Sequence, residues 1–133
     1  MIYIMDSPVI LNDELFFFEE DKKYATTYRV YLELKDFRSK SLADNAIKYS
    51  FLHVMEPSES SLAKAVLVAK KFGIRLSDAD FSIAALALDL KEKKEEVLVI
   101  TDDFSVQNLL LKLQIPFKSV IRGEIKRFRK FSK

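Results

Sequence analysis

The 133-residue sequence has no cysteine, two glycines, three prolines and one histidine. Without cysteine, disulfides, thiolate zinc sites and a cysteine nucleophile are all excluded. The two glycines, Gly73 and Gly123, stand far apart, so no glycine-rich loop exists to cradle phosphates, and ATP or dinucleotide use is not expected. The lone His53 sits beside Val54 in a β-type stretch, away from any nucleophile motif, and reads as a structural or surface histidine. Long apolar runs are also missing. The longest, residues 83–88, has six residues, against roughly 20 needed to span a bilayer. Asp6 interrupts the N-terminal apolar stretch too early for a signal peptide. The expectation is a soluble, cytoplasmic protein with no membrane association. There is no repeat, low-complexity segment or Pro/Gly/Ser-rich linker, and the length fits one domain.

Apolar residues make up 49% of the chain, enough for a packed core, and charged residues 32%. The Lys- and Glu-rich charge content leans towards a thermophile. Net charge is only +2, yet residues 118–133 carry seven basic side chains and one acid, Glu124. That segment reads either as a solubilising terminus or as a contact for an anionic partner, nucleic acid first. The expected organisation is a domain over residues 1–121 and a basic tail over residues 122–133.

Residues 1–5 (MIYIM) read as a buried strand stopped by Asp6-Ser7-Pro8, with Pro8 at a helix start. Residues 15–18 are ambiguous between strand and loop. Residues 27–37 have helical periodicity, placing Val30, Leu34 and Phe37 on one face. Residues 41–48 suggest a weaker helix and residues 49–55 a strand. Ser58 reads as an N-cap with Glu59 in the first turn, and Gly73 as the residue ending that helix. Ser77 and Asp80 have capping-box spacing ahead of a helix apolar nearly all round, as in a buried element. Residues 97–100 (VLVI) read as a central parallel strand. The helix that follows carries Val106, Leu109, Leu110 and Leu113 on one face and is stopped by Pro116, and a last strand falls within residues 117–121. Strands alternating with helices imply an α/β fold, a three-layer α/β/α domain with a central parallel sheet of four or five strands.

Ligands of open parallel sheets bind outside the carboxyl ends of the strands. Two strands end there in acids, one in Asp6 and one in Thr101-Asp102-Asp103. Singly, Asp6, Asp80, Asp102 and Asp103 each read as helix caps, a role worth about 1 kcal/mol. Glu33 borders the apolar stripe of its helix, half-buried, where it needs a cation or an escape to water. Together, carboxylates without His or Cys favour a hard divalent cation, and such a centre suits phosphodiester hydrolysis.

The strand ending in Asp6-Ser7, the segment Val30-Tyr31-Leu32-Glu33-Leu34-Lys35-Asp36, Leu76-Ser77-Asp78-Ala79-Asp80 and Thr101-Asp102-Asp103-Phe104 occur in the order of the PIN-domain nucleases, which the sequence resembles over nearly its whole length. Residues 76–88 and 101–110, with the Gln107-Asn108 pair, are most similar to the archaeal Nob-type PIN domains, which trim the 3′ end of small-subunit ribosomal RNA. The cysteine-rich zinc ribbon usual in that group has no counterpart in this sequence. The resemblance implies a catalytic centre of Asp6, Glu33, Asp80 and Asp103, and one or two Mg²⁺ or Mn²⁺ ions held by Asp6, Asp80, Asp102 and Asp103. It implies support from Ser7 and Thr101, and a single-stranded RNA substrate contacted by Lys118, Arg122, Lys126, Arg127, Arg129 and Lys130. The implied partners are a ribosomal RNA precursor and a pre-ribosomal particle, with a homodimer left open. Two other readings share the fold: a VapC-type toxin ribonuclease and a non-catalytic PIN-like RNA-binding module.

Overall fold

A computed structural model describes residues 1–6 and 22–119, with the side chain of Phe37 left out. The readings for Pro8, residues 15–18 and the 121/122 domain boundary lie outside these residues. The chain builds β1 (Ile2–Met5), β2 (Lys23–Thr27), α1 (Tyr28–Leu32), α2 (Phe37–Lys48) and β3 (Leu52–Met55). It continues with α3 (Glu59–Lys71), α4 (Asp78–Glu92), β4 (Val97–Ile100), α5 (Phe104–Lys112) and β5 (Phe117–Lys118). The five strands form one sheet in the order β3-β2-β1-β4-β5, and every neighbouring pair is parallel.

The order steps one way from β1 through β2 to β3, then returns to place β4 on the other side of β1. The topological switch point therefore falls between β1 and β4, where ligands of such sheets bind. The register pairs Ile2 with Val97 and Met5 with Ile100, so the two strands end level. Their next residues are Asp6 and Thr101.

Alternation along β4 fixes the layers. Val97 and Val99 join a core with Ile4, Ala65 and Ala69 of α3, Ile83, Ala84 and Ala87 of α4, and Val106, Leu109 and Leu110 of α5. Leu98 and Ile100 join a second core on the opposite face, with Met5, Tyr24, Leu52, and Ala43 and Ala46 of α2. A strand covered on both faces is apolar at every position, and β4 is fully buried. Helix α4 is buried through Ala79, Ser82, Ile83, Ala84, Ala85, Leu86, Ala87 and Leu90, matching its apolar circumference. Its small side chains let it lie close to both the sheet and α3.

Helix ends follow the local chemistry. Ser58 caps α3 by accepting from Ser61 N–H at 3.2 Å. That cap is itself gripped from α4, because Asp89 accepts from Ser58 N–H at 2.6 Å, Ser58 Oγ at 2.7 Å and Ser61 Oγ at 2.6 Å. Gly73 follows α3 with φ +68°, the left-handed conformation that glycine adopts without cost. Ser77 and Asp80 form the expected capping box.

Residues 27–37 depart from the single helix that their periodicity predicts. Strand β2 occupies Lys23–Thr27, and Thr27 then caps the short α1 through Val30 N–H at 3.2 Å. Asp36 accepts from Ser39 N–H at 2.9 Å and starts α2 afresh. Val30 and Leu34 consequently belong to opposite cores rather than to one stripe. The segment KYATT was not legible as a strand because its N-terminal lysines mimic a polar loop, while pairing with β1 and β3 buries Tyr24 to Thr27. Among the described residues, no helix is long and apolar enough to cross a membrane.

Candidate active site

The carboxyl edge of the sheet gathers acids from four elements. Asp6 leaves β1 with only 4% of its surface exposed. Thr101, the fully buried residue after β4, donates its hydroxyl to Asp6 Oδ2 at 2.5 Å. The same Thr101 Oγ1 accepts from Asp103 N–H at 3.1 Å, and the Thr101 carbonyl accepts from Gln107 Nε2 at 2.9 Å. Gln107 is itself buried on α5. A connected set of bonds thus runs from α5 through the β4 terminus to the carboxylate of Asp6.

Burial raises the Asp6 carboxyl from 3.8 to about 7. The Thr101 hydroxyl opposes that rise, while the negative charges of Asp80, Asp103 and Glu33 add to it. These three acids come from α4, the start of α5 and the end of α1, far apart in sequence, yet all act on one buried carboxyl group. Like charges facing one desolvated acid make its ionised form costly until a cation arrives.

Glu33 is exposed, correcting the expectation of a half-buried residue on a helix stripe. It is the C-cap of α1, because the helix stops at Leu32. Asp102 is half-buried after β4, and its Oδ1 accepts from Ser119 Oγ at 2.5 Å beyond β5. Lys118 is half-buried in β5. Ser7, Arg122, Lys126, Arg127, Arg129 and Lys130 lie outside the described residues. His53 is exposed on β3, remote from the acids in the strand order.

Asp80 and Asp103 each have a second task. Asp80 Oδ2 accepts from Ser77 N–H at 3.3 Å, and Asp103 Oδ1 accepts from Ser105 N–H at 2.8 Å and Val106 N–H at 3.2 Å. Helix capping and membership of the acidic cluster are thus not alternatives here. Among the described residues, no three carboxylates stand close enough to hold one metal ion in this arrangement. The donor set of carboxylate oxygens still has the chemistry of a hard-cation site. The part played by Gln107 is not legible in the sequence, because only the fold turns its amide back towards Thr101.

A family described as PIN domain of ribonuclease matches residues 3–90. The chain belongs to this PIN-domain family. The PIN domain is 31% identical over 125 residues to Endoribonuclease Nob1 of Methanothermobacter thermautotrophicus, covering 92% of this chain and 71% of that protein. It is 34% identical over 117 residues to Endoribonuclease Nob1 of Pyrococcus abyssi, covering 86% and 70%. With Ribonuclease VapC3 of Aeropyrum pernix it shares 39% identity over 93 residues, 68% of this chain and 67% of that one. A crystal structure of FitAcB from Neisseria gonorrhoeae superposes with a TM-score of 0.50 at 16% identity, covering 88% of this chain and 96% of that one. That likeness concerns the fold alone.

Proposed function

We propose that this PIN domain is a divalent-metal-dependent endoribonuclease acting on single-stranded RNA, with a ribosomal RNA precursor of the small subunit as its substrate. The observation that carries the reading is the convergence of Asp80, Asp103 and Glu33 on the buried Asp6 at the switch point of the sheet. Relatives named as ribonucleases support it.

Asp6, Asp80 and Asp103 would hold Mg²⁺ or Mn²⁺ by drawing in around the ion from their wider metal-free spacing. Such an ion supplies a low-pKa water and stabilises the leaving oxygen of a phosphodiester. Thr101 and Gln107 keep the Asp6 carboxylate aimed along the edge of the sheet. Glu33, exposed and acting on Asp6 through its charge, would accept a proton from the attacking water. Burial keeps the Asp6 carboxylate poorly solvated, so its field on an incoming cation is strong.

The test is incubation with short RNAs spanning the small-subunit 3′ junction, with Mn²⁺ or with chelator. Mn²⁺-dependent cutting at the junction, abolished in Asp6→Asn of intact fold, is the expected result. Unchanged cutting by Asp6→Asn would remove the assignment. A toxin ribonuclease is the second reading, favoured by the 39% identity to VapC3 of Aeropyrum pernix. Cutting without junction preference, with growth arrest on expression, is its signature. A non-catalytic RNA-binding module would show no Mn²⁺-dependent rise in melting temperature.

A further inference from the structure

The most exposed large hydrophobic side chain among the described residues is Phe104, at 82%. It is the first residue of α5, directly after the capping Asp103. Side chains in a helix lean towards its N-terminus, so this ring leans towards the end where the acids gather. Other exposed aromatics are partly covered. Lys112 lies 4.5 Å from the Phe72 ring centre, and Lys48 lies 5.6 Å from that of Tyr49. Among the described residues, neither a ring nor a cation covers Phe104.

Packing does not account for this residue. Val106, Leu109 and Leu110 supply the apolar face of α5, and Phe104 takes no part in either core. An apolar ring at a helix start gains nothing from water, and the described residues leave most of it open. What it offers is a flat apolar surface one residue from a carboxylate of the acidic cluster. Unpaired nucleobases have the complementary surface, and stacking on an aromatic side chain is how single strands are gripped without regard to sequence.

We propose that Phe104 is a base-stacking platform that seats one unpaired nucleobase of a single-stranded RNA beside the acidic cluster. The proposal rests on the ribonuclease reading above. Stacking there holds the strand so that a neighbouring phosphate lies over Asp6 and Asp103. A duplex, whose bases already stack on each other, gains nothing from the ring, so the platform selects for single strands.

The test is binding of a fluorescent uridine decamer, measured by anisotropy in chelator so that no cleavage intervenes. Phe104→Ala is expected to weaken binding on the order of 10-fold. Phe104→Trp should hold or improve it, and Phe104→Leu, apolar but not flat, should lose as much as alanine. The exposed position makes each variant compatible with folding, which circular dichroism checks. The chain has no tryptophan, so Phe104→Trp carries a single indole whose emission should be quenched by the decamer and not by an abasic ribose-phosphate decamer. Wild-type affinity in Phe104→Ala, or leucine serving as well as phenylalanine, overturns the proposal. Failure of the wild-type protein to cut RNA with Mn²⁺ removes the ribonuclease reading instead, and is recognisable because cutting is measured apart from the binding comparison.

Discussion

Asp6 holds its proton near neutrality because burial, and then the charges of Asp80, Asp103 and Glu33, make ionisation costly. Its value in the folded chain, about 7, lies above the 3.8 of an unhindered carboxyl. The native state therefore binds a proton that the unfolded chain releases. Stability from this group is complete below pH 3.8 and is lost as pH rises through about 7. Metal-free protein should melt at lower temperature at pH 8 than at pH 5.5. Asp6→Asn should remove most of that difference and stabilise the metal-free protein at pH 8 by on the order of 2 kcal/mol, read by denaturant titration. Gln107 works at one remove. Gln107→Leu strips the buried Thr101 carbonyl of its partner, at a cost of about 1–3 kcal/mol in stability. It should lower turnover more than it alters RNA affinity, and a kcat and KM comparison reads that split.

At the scale of elements, the caps explain why the acids were legible while their geometry was not. Ser77, Asp80 and Asp103 announce helix starts by spacing alone, and all three do cap. Spacing cannot say that a cap residue also faces a carboxyl group on another strand. The two roles separate by substitution. Asp103→Ser keeps a good cap and should fold with near-native stability but lose RNA cleavage. Asp103→Ala should lose cleavage and a further 1 kcal/mol or so of stability. Thermal melts alongside cleavage assays distinguish the pair. Glu33 shows the opposite limit of sequence reading. Its helical spacing was real for one turn, but Thr27 and Asp36 each offer a cap, and the sequence does not reveal that both are used. The strand Lys23–Thr27 was hidden for a related reason, since only its neighbours on both sides make an interior strand of it.

For the whole molecule, what periodicity supplied was the alternation of strands and helices, and with it the parallel sheet. The order of strands came from packing between distant segments, and that order makes β1 and β4 neighbours. Helix α4 bears on this arrangement through alanines with no exposed surface, Ala84, Ala85 and Ala87. Ala84→Leu should overpack the junction of sheet and helix, costing about 1–3 kcal/mol and loosening the end of the sheet from which the acids project. A lowered melting temperature together with weakened RNA cleavage is the expected outcome.

The grip of Asp89 on Ser58 and Ser61 gives the protein a second and contrary response to acid. Burial acts to raise this carboxyl, but hydrogen bonds from Ser61 and Ser58 outweigh it and hold the group below its usual 3.8. Protonation from pH 3.8 downward slackens that latch, freeing the first turn of α3 to fray against α4. Mild acid thus steadies the catalytic edge while stronger acid unfastens a helix pair. Amide exchange at Ser61 and Leu62 should quicken over the second range and stay slow through the first.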